Sequence, residues 1–125
     1  LGFTLGTSAL IEEVVKSVGI VVLAERGVVE SARNIIGLSF LSALGFLVGE
    51  KLLLLLSITM VSQARVSGAL FGAGLLLFIP LIAHFVFTTI ITLLKTKLKL
   101  PYTLALGVGT IVHFVYNVYV MRGGF

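Results

Sequence analysis

Long apolar stretches alternate with short polar ones along this chain. Four of them, over residues 3–24, 34–57, 69–94 and 102–121, are long enough for a helix of about 20 residues, the length that crosses the hydrocarbon core of a bilayer. Apolar residues continue around each predicted helix rather than forming one stripe, as lipid-facing helices require. Membrane β-strands would be shorter and would alternate, so the pattern predicts transmembrane helices.

Short connections join these stretches, at residues 25–33, 59–68 and 95–101. Pro101 suits the first turn of the last helix, where its missing amide proton is not needed. Short connections make neighbouring helices antiparallel. We therefore predict an all-α fold, a polytopic transmembrane four-helix bundle that forms one domain over residues 1–125.

The composition also indicates a lipid environment. Hydrophobic residues make up 58% of the chain, the mean hydropathy is +1.21, and 11% of the residues are charged, against roughly a quarter in soluble domains. Cysteine is absent, which excludes disulfides, thiolate metal ligands and a cysteine nucleophile. The net charge of +4 is spread over the short connections, which is typical of membrane topology signals, so we expect no nucleic-acid partner.

The basic residues favour one orientation in the bilayer. Connections one and three share a side of the predicted bundle and contain Arg26, Arg33, Lys95, Lys97 and Lys99. Arg65 and Arg122 fall on the other side. Because cytoplasmic loops carry the excess of Lys and Arg, residues 25–33 and 95–101 are predicted to be cytoplasmic in a multi-pass protein of the cell membrane. The chain begins with Leu1 rather than Met, so we expect residues upstream of it.

Each predicted span contains polar side chains that hydrocarbon disfavours. The set comprises Glu12, Glu13, Lys16, Glu50, His84, His113 and Asn117. An ionised group in mid-bilayer costs at least about 2.5–3.5 kcal/mol, so such groups face one another or a water-filled cavity. Since all four spans contribute, the sequence predicts one shared polar site at the centre of the bundle.

The first two spans place carboxylates beside cations. Glu12 and Glu13 precede Lys16 by four and three residues, so one glutamate can pair with the ammonium while the other turns into the cavity. Glu50 is followed by Lys51 and a run of five leucines, which favours a buried Glu50 over a helix end. A purely structural ion pair between glutamate and lysine stays an alternative.

Each histidine has a polar residue one helical turn later. Thr88 follows His84, and Asn117 follows His113. A hydroxyl or amide at that spacing would fix the tautomer of the imidazole. The alternative for the histidines and for Asn117 is a structural hydrogen bond between helices.

Two imidazoles and an adjacent pair of carboxylates suit the activation of water. A side-chain nucleophile is not indicated, because no serine, threonine or cysteine is obviously paired with a base. Glu12 or Glu13 would be the general base. His84 or His113 would donate to the oxyanion of a tetrahedral intermediate. In an alternative, a zinc ion binds the nucleophilic water, although an HExxH motif is absent, and its ligands are Glu13, Glu50, His84 and His113.

Four short motifs occur in order, one in each predicted span. They are EEVVK at 12–16, GFLVGE at 45–50, PLIAHFVFT at 80–88 and HFVYN at 113–117. They resemble the EExxK, GFxxxE, histidine–threonine and HxxxN motifs of the PrsW-type membrane proteases. That family is related to the CAAX prenyl proteases, the bacteriocin-processing enzymes and the APH-1 scaffold subunit of γ-secretase. Lys16 and Glu50 favour the PrsW branch over the CAAX branch, which typically has EExxxR and FxxxH.

The resemblance implies a glutamic intramembrane protease, a hydrolase that cleaves membrane-anchored proteins such as anti-sigma factors. Its site residues would be Glu12, Glu13, His84 and His113, supported by Lys16, Glu50, Thr88 and Asn117. One departure is Lys51, where family members often have asparagine. A cation beside Glu50 favours the ionised carboxylate and argues against a general-acid role for Glu50.

Two other functions fit parts of the pattern. A non-catalytic scaffold subunit would use the polar layer to fix helix register within a larger complex, but it has little need of adjacent carboxylates. An ion- or proton-coupled carrier would use the layer as a relay, but four spans are few, and no inverted repeat is evident. We expect an enzyme that needs no cofactor, with zinc as the alternative, and that acts in the bilayer alone, as a homo-oligomer or in a larger complex.

Overall fold

The computed structural model describes residues 2–62 and 78–123, except that for residues 58–62 it describes the backbone and not the side chains. Four helices make up most of this part of the chain, which contains no strand. They are α1 (Gly2–Glu25), α2 (Ala32–Ser62), α3 (Phe78–Thr96) and α4 (Tyr102–Met121). The predicted all-α helical bundle is confirmed.

The helix bounds agree with the sequence pattern at α1 and α4 and differ at the end of α2. α1 and α4 match their predicted spans to within one residue at each end. α2 continues to Ser62, so the connection predicted at 59–68 is wrong over its first four residues. Neither glycine nor proline interrupts residues 50–62, and nothing else in that stretch stops a helix. The rest of that connection and residues 69–77 of the third predicted span lie outside the described residues.

Three of these helices are long and apolar enough to cross a membrane, by length and composition. They are the Ala32–Ser57 part of α2, and α3 and α4 over their whole lengths. α1 is also long, with 24 residues, but it carries Glu12, Glu13 and Lys16, which lower its apolar character. The chain therefore has the helices of a membrane protein. That α1 is a fourth span, that the membrane is the cell membrane, and that the connections are cytoplasmic remain predictions.

α1 and α3 form the central pair of the bundle. They pack against each other, and each also packs against α2 and α4. The buried face of α1 is a stripe with helical spacing that consists of Ala9, Glu13, Lys16, Ser17, Ile20 and Val21. Apolar residues such as Ile11 and Val15 face outward. The usual order of a soluble helix is thus reversed at this point, because polar groups lie inside the bundle and apolar groups lie on its surface.

The backbones of α3 and α4 approach closely at Gly109. A Cβ atom at this position would collide with the side chain of Ile91 and would lie 3.6 Å from the carbonyl oxygen of Phe87. Small residues permit such approaches between helices in lipid. Gly109 precedes His113 by one turn, so this contact sets how closely α4 brings its histidine to α3.

Polar contacts join the two described connections at one end of the bundle. The ammonium of Lys95 lies 2.9 Å from a carboxylate oxygen of Glu25. Lys97 donates to the backbone carbonyl oxygen of Glu30. The connection after α1 and the connection after α3 therefore share one end of the bundle, as the antiparallel arrangement predicted.

Candidate functional site

A pocket of about 280 Å³ lies between the helices, toward the end opposite the joined connections. All four described helices contribute to its walls, which are lined by Leu5, Glu12, Glu50, His84, His113, Asn117, Val120 and Met121. Five of these residues are polar side chains that the sequence predicted to meet. The structure brings them together although they are distributed over more than 100 positions of the chain.

Glu13 and Lys16 form a buried ion pair that holds both histidines. The Nζ atom of Lys16 lies 2.6 Å from Oε1 of Glu13 and 2.9 Å from Nδ1 of His84. The same oxygen of Glu13 lies 2.7 Å from Nδ1 of His113. Neither side chain of the ion pair has any exposed surface. Charges on α1 therefore fix the rings that α3 and α4 contribute.

These contacts determine which nitrogen of each ring carries a proton. An ammonium can only donate, so Lys16 donates to Nδ1 of His84, and the proton of the neutral ring lies on Nε2. An ionised carboxylate can only accept, so His113 donates from Nδ1 to Glu13, and in the neutral ring Nε2 keeps a lone pair. One histidine thus offers the site a hydrogen-bond donor and the other an acceptor.

Glu12 is the member of the acidic pair that lines the pocket. Its Oε2 atom lies 3.6 Å from Nε2 of His113, and its Oε1 atom accepts a hydrogen bond of 2.9 Å from the hydroxyl of Ser8. The side chain of Glu12 is 23% exposed, whereas that of Glu13 has no exposed surface. The two adjacent glutamates therefore divide as their spacing allowed, one toward Lys16 and one toward the cavity.

Aromatic rings surround the two histidines, which the sequence reasoning did not anticipate. Phe87 stacks on His113 with ring centroids 4.8 Å apart, and the two imidazoles meet edge to face at 5.2 Å. The ring of Phe46 lies 5.8 Å from that of His84, and its centroid is 5.2 Å from the ammonium of Lys16. The signal was present as Phe46 in the second motif and as Phe87 three residues after His84. Rings at these positions keep water away and so strengthen the electrostatic interactions beside them.

Thr88 and Asn117 do not fix the histidine tautomers, contrary to the expectation from their spacing. The hydroxyl of Thr88 is buried and has no hydrogen-bond partner among the described residues. Asn117 lines the pocket instead. Lys16 and Glu13 hold the rings from another helix, a long-range arrangement that spacing along α3 and α4 could not reveal.

Glu50 lies within α2 rather than at its end, as predicted. Its side chain is nevertheless exposed in the pocket wall, so the prediction that it is buried in the bundle is wrong. That prediction rested on the leucine run after Lys51. Leu52 and Leu53 in that run are themselves 54% and 68% exposed. In a bilayer an apolar run indicates contact with lipid as readily as burial in protein, and the run therefore said nothing about the depth of Glu50 within the bundle.

One group of side chains is close enough together to be considered as a metal site. In the part of the chain that the structure describes, the group of three side chains whose potential ligand atoms all lie within 4.8 Å of one another consists of Glu12, His84 and His113. This set differs from the one expected for zinc, which included Glu13 and Glu50. A catalytic zinc ion usually has three protein ligands, but in His84 one nitrogen carries the proton and the other faces Lys16. Of these three side chains, only Glu12 and His113 (through Nε2) offer a lone pair, so this donor set does not fit zinc.

No family model, no curated protein and no solved structure matches this chain. The resemblance to the PrsW-type proteases therefore remains a prediction that rests on the four sequence motifs.

Proposed function

We propose that this chain is an intramembrane endopeptidase in which Glu12 activates a water molecule, assisted by His113 and His84. The observation that carries the proposal is the pocket itself. A carboxylate, a ring acceptor and a ring donor line it together, inside a bundle in which three of the four described helices are apolar enough to span a membrane. Peptide hydrolysis needs a group to accept a proton from water and a group to stabilise the oxyanion, and this set contains both.

Two acceptors of the pocket suit a nucleophilic water. Oε2 of Glu12 and Nε2 of His113 lie 3.6 Å apart, so one water can donate a hydrogen bond to each. Such a water keeps a lone pair free for the carbonyl carbon of a bound peptide. Glu12 then takes the proton as the new carbon–oxygen bond forms, and it delivers that proton to the leaving amine as the carbon–nitrogen bond breaks.

His84 supplies the opposite kind of group. Its Nε2 proton can donate to the carbonyl oxygen, which becomes negative in the tetrahedral intermediate. The ammonium of Lys16, 2.9 Å from Nδ1 on the other side of the ring, prevents this tautomer from reversing. Its positive charge also favours negative charge in the pocket. Lys16 therefore acts through His84 as a positioning residue.

A scaffold subunit is the second candidate, favoured by one specific observation. The buried pair of Glu13 and Lys16 connects α1 to α3 and α4 through two histidines. A network that fastens three helices is what a structural subunit requires, whether or not a reaction takes place beside it. Glu12 separates the two functions, because it lines the pocket and is not part of that buried pair.

The deciding experiment measures peptide cleavage in proteoliposomes. The purified chain is reconstituted with a panel of synthetic transmembrane peptides, and the products are identified by mass spectrometry. We expect Glu12→Gln to reduce cleavage at least about a hundredfold, since a general base contributes that much or more. Glu25→Gln is the matched control, because it removes a carboxylate from the other end of the same helix. Both variants should retain the wild-type melting temperature, and a chelator should leave cleavage unchanged.

Each alternative result has a definite meaning. Full cleavage by a folded Glu12→Gln variant would exclude Glu12 as the base. Loss of cleavage under the chelator, with recovery on addition of zinc, would make Glu12 and His113 metal ligands. If the wild-type protein cleaves none of the peptides, the scaffold function is favoured, and a stoichiometric partner should then copurify with the chain.

A further inference from the structure

A second and larger cavity lies at the end of the bundle where the two connections meet. Its volume is about 670 Å³, within the roughly 300–1,000 Å³ of typical small-molecule sites. The end of α1, the start of α2 and the end of α3 contribute its walls. None of its lining residues belongs to the pocket around Glu12, and the proposed protease mechanism uses none of them.

Positive charge is in excess around this cavity. Three lysines, at 95, 97 and 99, and two glutamates, at 25 and 30, line the cavity. Two arginines on the same connections, at 26 and 33, add to the positive charge nearby. Lys95 lies 2.9 Å from Glu25, so these two charges offset each other. Lys97 also lines the cavity and uses one of its three protons on a backbone carbonyl, which leaves two to donate.

Lys99 completes the cationic wall from an unusual backbone conformation. Its φ angle is 54°, in the left-handed region that favours glycine and that disfavours residues with a Cβ atom. Among the described residues it has no ion pair or hydrogen bond through its side chain. Glycine would adopt this φ angle at a lower conformational cost, so the presence of a lysine here needs an explanation other than the fold.

We propose that this cavity binds the phosphate of an anionic phospholipid headgroup, with Lys97 and Lys99 as its donors. Helices that cross a bilayer end at the level of the headgroups, so the cavity borders that region. Val28 and Leu98, which are 68% and 67% exposed, lie on the same two connections and would contact the adjoining acyl chains. Basic pockets between membrane helices recognise anionic headgroups, and the excess of positive charge favours them over zwitterionic ones. The site is independent of the proposed protease activity.

The test measures lipid affinity with the purified chain in neutral detergent, by native mass spectrometry during titration with phosphatidylglycerol. We expect Lys99→Gly to bind about fivefold more weakly, the effect of one cation near an anionic headgroup. Its melting temperature without lipid should be equal or higher, because glycine adopts this φ angle freely. Lys99→Arg should keep the affinity. Arg122→Gln is the matched control, since it removes one positive charge at the opposite end.

Two further ligands distinguish the source of the phosphate. Phosphatidylcholine should bind at least about fivefold more weakly than phosphatidylglycerol, and inorganic phosphate should not displace the bound lipid. Wild-type affinity in the Lys99→Gly variant would overturn the proposal. So would an equal loss in Arg122→Gln, equal binding of phosphatidylcholine, or full displacement by inorganic phosphate.

Discussion

Two polar layers lie inside this bundle, and they are built differently. The hydroxyl layer consists of Ser17, Ser39 and Thr92, each of which has within reach, at 2.6–2.9 Å, the carbonyl oxygen four residues earlier on its own helix. The charged layer consists of Glu12, Glu13, Lys16, His84 and His113. Its histidines are held by side chains of another helix, at 2.7 and 2.9 Å.

The difference between the two layers indicates which of them is the better candidate for a function. A hydroxyl group that loses its neighbour on another helix still has a backbone acceptor, so the hydroxyl layer tolerates change. A buried charge that loses its partner is left uncompensated, at a cost of about 3–5 kcal/mol. Charges in a membrane bundle are therefore expensive to keep, and intramembrane ionisable groups are most often functional. This reasoning assigns the proposed site to the charged layer and a structural role to the hydroxyl layer.

The most severe test of the comparison is Lys16→Met. Methionine has a similar length, but it leaves Glu13 without its cation and Nδ1 of His84 without a donor. We expect the free energy of unfolding to fall by about 3–5 kcal/mol, measured by equilibrium unfolding in bicelles. Lys51→Met, outside both layers, should change it by no more than about 0.5 kcal/mol. Equal losses in the two variants would contradict the special position of the buried pair.

A smaller effect is expected from Gly109→Ala, which tests the packing beside the hydroxyl layer. The added methyl group collides with Ile91, and overpacking of this kind costs about 1–3 kcal/mol. At Gly107, on the same helix, a Cβ atom meets nothing within 4 Å in the described part of the chain, so Gly107→Ala is the control. The measurement is again the free energy of unfolding. In the double variant with Ile91→Ala, the losses should be less than additive, and simple additivity would show that the two positions do not touch.

The smallest effect is expected within the hydroxyl layer, from Ser39→Ala. The hydroxyl groups of Ser39 and Thr92 meet at 2.9 Å between α2 and α3, but Thr92 keeps its bond to the carbonyl of Thr88. The free energy of unfolding should fall by about 0.5–1.5 kcal/mol, and cleavage in the proteoliposome assay should be unchanged. If the folded variant lost cleavage, the hydroxyl layer would belong to the site, and the contrast between the layers would fail.

The positions of the helices could be predicted from the sequence because long apolar runs have one main explanation in a chain with so few charges. The residue at which α2 ends, and the exposure of the Glu50 side chain, could not be predicted in this way. Both depend on whether an apolar residue faces lipid or protein, and Leu52 and Leu53 look the same in sequence whichever they face. The bilayer removes the contrast between inside and outside that hydrophobic patterns report in soluble proteins.

That these polar side chains lie together was also predictable, because burying a charge in hydrocarbon needs a reason that the sequence makes visible. Their individual arrangement was not. Glu12 and Glu13 are separated by about 100° around the helix, and either could have faced Lys16. The tautomers of the histidines depend on contacts that span 68 and 100 positions of the chain. Spacing within α3 or α4 suggested Thr88 and Asn117 for that role, since local patterns reveal only local partners.

Those long separations also bear on how the protein is made. The first helix emerges from the ribosome with its glutamates and lysine long before the histidines that will contact them have been synthesised. Until the third and fourth helices arrive, the partners of these charges are those within α1, where Glu13 pairs with Lys16 and Glu12 accepts from Ser8. Although α1 precedes the other three described helices, its polar contacts are complete only when α4 has been synthesised.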